Sequence, residues 1–566
     1  MPIMKNAVLI IILLTTTILA QAQQAQPAFV SPLGIDLLLS ANFGELRANH
    51  FHSGLDFKTR GSIGYKVYAA DEGYVSRIAV SPWGYGKALY IDHPSGYTTV
   101  YAHLDDFVGA IADTIKRMQY ACESYAIDTL LSPGMLPVTR GMYIAKSGNS
   151  GSSGGPHLHF EIRHTATESP IDPLPWYRHL IKDGIAPEPR LVAVYMHDAV
   201  VDGESLPKKV LHPERVSGNS YKTNTHFEAW GRVSLGVKAY DRMSNTNNIY
   251  GVRQVRCYVD DSLMYESIID SITFAETRYI NSFIDYKELR SNKGSTIMRT
   301  AVLPGNELST IYRTMPGDGT FVIDEERAYR CRMELCDLYG NISTVHFDIQ
   351  GKYKEYASHE PEGVCFDYRH DNEYATDEVN VYVPAGALYE NLYFDYSSRP
   401  SEQGYSSQHL LHTAHAPLHK WCEVAIKITC DTLPDNKYYL EHNYNGKKSE
   451  VIGRYDAGWY VAKVRNWGRY TVAADLVSPE VVALKPESWV ANGSVDFKIS
   501  DKGSGVNTYR VELDGAYCLF EYDAKRSRLS CNIADMPLEK GKTHKLTVTV
   551  TDNCDNSTKK EHTIKL

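Results

Sequence analysis

A chain of 566 residues is too long for one hydrophobic core, and at roughly 100–200 residues per domain it divides into about three to five. Its net charge of −9, without a basic block, argues against strong nucleic-acid binding, and no polybasic patch marks a membrane surface. Forty tyrosines, with abundant Val, Thr and Gly, tilt the composition towards a mainly β protein.

Residues 1–22 read as a signal peptide. Lys5 precedes the apolar run AVLIIILLTTTILA (7–20), and Ala20-Gln21-Ala22 supplies the small residues of a cleavage site. The run is short for a membrane span, and no later segment approaches the ~20 apolar residues a transmembrane helix needs. The mature chain is therefore expected to be exported and soluble, periplasmic or extracellular. All ten cysteines fall in it, without C-x-x-C spacing. Cys518 and Cys531 flank the strand–turn–strand YCLFEYDAKRSRLSC and could face each other across a hairpin, with a disulfide left open.

From residue 28 the pattern is of short extended pieces. VYAADEGYVSRIAV and KALYIDHPSGYTTVYAHL each read as strand, turn, strand, so an antiparallel meander is expected. Between 105 and 140, Phe107, Ile111, Ile115, Met118, Cys122 and Tyr125 recur at helical spacing. They predict a helical insertion of about five turns, either packed on the sheet edge or walling a groove. Strands return with VTRGMYIAKSGNSGSSGGPHLHFEIR. Four units are expected: 28–186, then an immunoglobulin-like β-sandwich with an insertion at 187–354, a β-rich unit of unnamed fold at 355–476, and a second immunoglobulin-like sandwich at 477–566. An internal repeat supports the sandwiches. VSLGVKAYDRMSNTNNIYGVRQVRCYVD (233–260) and SVDFKISDKGSGVNTYRVELD (494–514) both run strand, Asp, polar loop, Gly-Val, strand, Asp. MELCDLYGN (333–341) and VTVTDNCDN (548–556) follow with similar turns. His409, His412, His415 and His419 lack acidic or cysteine partners and read as a polar loop more readily than as a metal site.

The chemistry centres on Gly154-Gly155-Pro156-His157-Leu158-His159-Phe160-Glu161-Ile162-Arg163. Strand side chains alternate, so His157, His159 and Glu161 share one face and Leu158, Phe160 and Ile162 the other. Upstream, NHFHSGLD (49–56) places a histidine and an aspartate four apart with a glycine between, and YAHL (101–104) adds another histidine. A catalytic zinc takes three protein ligands and keeps a position open. His52, Asp56 and one histidine of the 157–159 pair meet that count. Asn49 and Tyr101 are candidates to line a groove, and Glu161 to orient an imidazole or to be an ordinary strand carboxylate.

HFHSGLD (50–56), YAHL (101–104) and SGNSGSSGGPHLHFEIR (147–163), three ordered motifs spanning about residues 40–175, resemble the lysostaphin/LytM-type zinc metalloendopeptidases, a family of peptidoglycan hydrolases. The resemblance implies a small antiparallel β-sheet peptidase domain with an open groove, carrying Zn2+ and cutting peptide bonds in peptidoglycan. By motif position His52, Asp56 and His159 would ligate the zinc, leaving His50 structural. His103 and His157 would be the unligated catalytic histidines, one accepting a proton from water and the other stabilising the oxyanion. Two features depart from the simplest members: the insertion directly after His103, and the long β-rich remainder, which could serve a cell-envelope or protein partner. A non-catalytic wall regulator and a zinc peptidase for exported proteins remain as alternatives.

Overall fold

In the computed structural model, the described residues are 28–202, 207–291, 294–355, 363–401 and 404–566. The expected signal peptide, residues 1–22, lies outside them. Strands hold 48% of the residues and helices 9%, so the mainly β expectation holds. Among the described residues no helix is long and apolar enough to cross a membrane.

The N-terminal part is an antiparallel sheet. Its central order is Leu39–Ala41, Leu55–Lys58, His157–His164, Tyr97–Phe107, Lys87–Asp92, Gly73–Val80 and Pro137–Val138. The His157–His164 strand lies between the short Leu55–Lys58 strand and the long Tyr97–Phe107 strand. Leu158, Phe160 and Ile162 are fully buried. Phe160 meets Phe57, Tyr177 and Tyr101 at ring-centroid distances of 5.9, 5.7 and 5.4 Å. Tyr101 thus belongs to the core and not to the groove, and its hydroxyl accepts a hydrogen bond from Ala70 N at 2.7 Å.

The insertion differs from expectation. Its helix covers only Gly109–Ala121. Phe107 ends the preceding strand and Val108 is extended, while Glu123 in the left-handed region (φ 47°) stops the far end. Ile111 and Ile115 are the buried stripe. Beyond the helix, Ile127–Leu130 and Pro137–Val138 both pair with Gly73–Val80, so the insertion extends the sheet edge.

Downstream, strands from Glu188–Val201 to Ile342–Gly351 build a second large sheet. The segment between Ile268 and Tyr312 carries the short helices Ile280–Phe283 and Tyr286–Ser291. Residues 372–474 form two five-stranded sheets, and residues 480–565 two four-stranded sheets around one core. His409 lies on a strand and is fully buried, and His419 is buried with its ring stacked 4.0 Å from Tyr279; His412 is buried too. These are packing histidines, not a polar loop. Cys518 and Cys531 are free thiols. They lie within hydrogen-bond reach of each other, but Cys518 N donates to Val511 O on the opposite sheet, so they do not meet as hairpin partners.

Candidate metal centre

Register assembles the centre. On the Leu55–Lys58 strand Asp56 stands directly opposite His159, and His157 opposite Lys58. A cross-strand pair sets side chains about 5 Å apart at Cβ. His52 arrives from the turn just before that strand, its N–H donating to Glu45 O at 2.9 Å. Gly54 makes the turn's approach: a Cβ there would lie 2.3 Å from Phe160 O and 2.9 Å from Glu161 Cγ. The glycine is needed for closeness to the His157–His164 strand more than for turning. His103 sits where the pairing of Tyr97–Phe107 with Lys87–Asp92 slips, at φ 57°. A bulge of this kind re-aims a side chain, and here it brings His103 within 4.8 Å of the His157 ring and 5.8 Å of the His159 ring.

The result is a tight convergence. His52 Nε2 lies 3.1 Å from Asp56 Oδ1 and 3.1 Å from His159 Nδ1, and His159 Nδ1 lies 2.8 Å from Asp56 Oδ1. His157 Nε2 follows at 3.4 Å from Asp56 Oδ1. All three of His52, Asp56 and His159 are buried. The structure therefore brings together His52, Asp56, His103, His157 and His159, while His50 is exposed with its Nδ1 3.0 Å from Ala48 O.

The other nitrogen of each ring is held. His52 Nδ1 is 2.7 Å from Asn42 O, His103 Nδ1 2.9 Å from Ser150 O, and His157 Nδ1 2.8 Å from Gly155 O. A carbonyl can only accept, so these Nδ1 atoms carry the protons and each Nε2 presents a lone pair. His159 is reversed: its Nε2 is 2.8 Å from Glu161 Oε1, turning Nδ1 to the centre. Burial opposes charge on His159, but its hydrogen bonds with Asp56 and Glu161 prevail and push it up to about 9. Burial, then the neighbouring His159 and His157, pulls His103 down to about 3. Asp56 is held well below the carboxylate range by the surrounding histidines, against its burial.

Sequence reasoning missed most of the network behind His159. Glu161 is fully buried and accepts from Ser53 Oγ at 2.6 Å, Tyr85 OH at 2.5 Å and Arg163 Nε at 2.6 Å. Arg163 keeps this carboxylate ionised despite burial, and Tyr85 keeps its proton. Tyr85 lies in a turn far from any motif, so no spacing signal could have found it. Two other parts of the chain close on the centre. Phe51 N donates to Thr277 Oγ1 at 3.0 Å, and Asn49 Oδ1 accepts from Asn281 at 3.1 Å. From the C-terminal sheets, Lys525 Nζ donates to Asn149 O at 2.5 Å and Ser153 O at 3.0 Å, on the loop whose Ser150 and Gly155 carbonyls hold His103 and His157.

Two imidazoles and one carboxylate converging on an antiparallel sheet, with two more imidazoles beside them, make a donor set of the metallopeptidase class. Residues 50–124 match the profile of peptidase family M23, and the chain carries an M23 peptidase domain. Residues 364–475 match a Zu5-like domain. Over 111 residues the chain is 36% identical to peptidoglycan DD-endopeptidase ShyB of Vibrio cholerae, covering 20% of each protein. It is 33% identical to an uncharacterized metalloprotease of Haemophilus influenzae, covering 20% of this chain and 18% of that one. The chain thus spans about a fifth of the length of these relatives. A zinc-containing peptidase from Vibrio cholerae is similar at 29% identity and a TM-score of 0.20, covering 26% of this chain and 39% of that one.

Proposed function

We propose that residues 28–186 form a zinc-dependent endopeptidase domain, in an exported chain, that hydrolyses peptide cross-links or stem peptides of bacterial peptidoglycan. The observation that carries this reading is the convergence of His52 Nε2, Asp56 Oδ1 and His159 Nδ1 within 2.8–3.1 Å of one another, each imidazole held by its other nitrogen. Ligands of a tetrahedral zinc with bonds near 2.0–2.1 Å stand ~3.3 Å apart, so these residues fit the ion with little movement. Glu161 and the Asn42 carbonyl are the partners such imidazoles require. A zinc ion held there would supply Lewis acidity to a peptide carbonyl and to water.

The remaining chemistry falls to His103 and His157. With Nδ1–H donated to Gly155 O, His157 offers Nε2 as a proton acceptor. It takes the proton of the attacking water and returns it to the leaving amine, and Asp56 at 3.4 Å stabilises the imidazolium in between. His103 also presents an acceptor, because Ser150 O fixes its proton on Nδ1. It is thus suited to hold a water O–H in place and less suited to stabilise an oxyanion. The β-rich units 187–354, 355–476 and 477–566 position the domain and present surface for an envelope or protein partner. The naming of ShyB as a DD-endopeptidase supports the substrate class.

The test is metal analysis joined to digestion of purified peptidoglycan, with the fragments read by mass spectrometry. One zinc per chain and shortened cross-linked muropeptides, both lost in His159→Ala, are expected. Zinc binding with unchanged muropeptides would overturn the substrate, and cleavage of extended protein substrates alone would assign the activity to exported proteins.

A further inference from the structure

Two groups of three aspartates stand apart from the histidine centre. Asp183, Asp241 and Asp337 offer carboxylate oxygens within 4.8 Å of one another, and so do Asp475, Asp501 and Asp552. The groups are copies. Asp183 and Asp475 lie in the linkers Asp183-Gly-Ile-Ala-Pro-Glu188 and Asp475-Leu-Val-Ser-Pro-Glu480, each running straight into the first strand of a β unit. Asp241 and Asp501 directly follow the strands Glu228–Tyr240 and Ser494–Ser500, three residues before Ser244 and Ser504, and Asp337 and Asp552 precede Asn341 and Asn556 by four.

Two of the three positions share their donors, while the strand-end position differs: Asp501 accepts from Gly503 N and Gly505 N, and Asp241 from Arg242 N. Asp183 accepts from Ile185 N and from the N and Oγ of Ser244; Asp475 accepts from Val477 N and from the N and Oγ of Ser504. Asp337 accepts from both nitrogens of Asn341 at 2.8 and 2.7 Å, and Asp552 from both of Asn556 at 2.8 Å each. These contacts aim the carboxylates without neutralising them. Asp241, Asp337, Asp475 and Asp552 are all at least 95% buried, exposed by 2, 5, 3 and 0%. Among the described residues, none of the six pairs with a Lys, Arg or His within 4.0 Å. Other buried aspartates do find one: Asp285 has Lys208 and Asp496 has Arg528.

Unpartnered oxygens point to a ligand. Among the described residues the carboxylate of Asp241 receives one hydrogen bond, from Arg242 N to Oδ1, leaving Oδ2 without a donor. Asp183 Oδ2 is buried and likewise without one. Asp241 and Asp337 line a cavity of about 10 Å³, room for about one water or ion. Arg253 on its wall is engaged by Asp172 and Asp270, at 3.8 Å each. At the second copy Lys437 bonds Cys554 O and Asn556 Oδ1 instead of the carboxylates. Buried charges are paired or hold metal.

We propose that each group binds one calcium ion, fixing each β unit to the linker that precedes it. The donors are all oxygen, which selects a hard cation over zinc, and a single ion with bonds near 2.4 Å bridges carboxylates spaced this way. At the second copy the ion would set the orientation of the sheets that carry Lys525.

The test uses the full chain, stripped of metal by chelator and dialysed against about 1 mM calcium chloride, the range of extracellular calcium modules. Calcium is counted per chain, and the melting temperature is measured with and without the ion. Two calcium ions are expected, with a rise in melting temperature. Asp241→Asn and Asp501→Asn should each lower the count to one, and His159→Ala should leave it at two. A count other than two in the unaltered chain, or a count that neither substitution lowers, overturns the proposal. Should a variant fail to fold, the unaltered chain decides: no calcium-dependent rise in melting temperature overturns it.

Discussion

The histidine centre and the aspartate junctions solve one problem, a buried carboxylate, in opposite ways. Asp56 is surrounded by His52, His157 and His159 within 3.4 Å, so cationic or donor groups are present before any metal arrives. Among the described residues, Asp241 and Asp552 have only carboxylates and backbone or amide donors beside them. The first arrangement stores protons that a metal must displace; in the second, burial and the neighbouring Asp337 push Asp241 up to about 8, so a bound proton or a metal cation balances the carboxylates. Nitrogen donors with an open side suit catalysis, whereas oxygen cages at linkers suit fastening.

The largest effect that could break the contrast is His159→Ala. Zinc content should fall to none and peptidoglycan cleavage by about three orders of magnitude or more, with calcium content unchanged. Simultaneous loss of calcium would mean that the two kinds of site are not independent.

Glu161→Gln comes next. The amide can still contact His159 but no longer fixes its tautomer by charge, so zinc affinity should drop about 10–100-fold, as read by competition with a chelating dye. An unchanged affinity would make Glu161 a packing residue.

A pH series sharpens the same point. His159 binds its proton more tightly folded, at about 9, than its ordinary 6.5. In metal-free protein the stability this contributes is complete below about pH 6.5 and is lost as pH rises through about 9. Zinc must displace that proton, so its affinity should climb by up to about tenfold per pH unit across this window. Proton release on zinc binding, measured by calorimetry in two buffers, checks the sign; no release would contradict it.

The smallest effect belongs to Lys525→Ala. This removes a partly exposed contact to the loop that carries Ser150 and Gly155, worth about 1 kcal/mol or less. Activity should change by less than about fivefold, and the change should grow when Asp501→Asn frees the sheets that carry Lys525. Equal effects in both backgrounds would uncouple the junction from the centre.

Much of the centre was legible because its chemistry is local in sequence. The four-residue interval from His52 to Asp56 and the alternation of His157 and His159 carry the donors, and strand period places both histidines on one face. The helix was overestimated because Phe107 and Tyr125 continue a helical spacing that a strand end and a turn had already broken. Tyr101 was misplaced because alternation says which residues share a face, not which face meets the core.

Composition and pattern alone determined a mainly β chain and a repeated strand–Asp–loop–strand pattern, and the motif set carries a resemblance to the lysostaphin/LytM-type metalloendopeptidases. Tertiary structure decided that His103 reaches the centre through a bulge, that Tyr85, Ser53 and Arg163 stand behind Glu161, and that linker aspartates join aspartates at or just past strand ends far along the chain from them. The reason is physical: donor identity and strand period are written residue by residue, but burial and charge balance depend on what long-range register brings alongside.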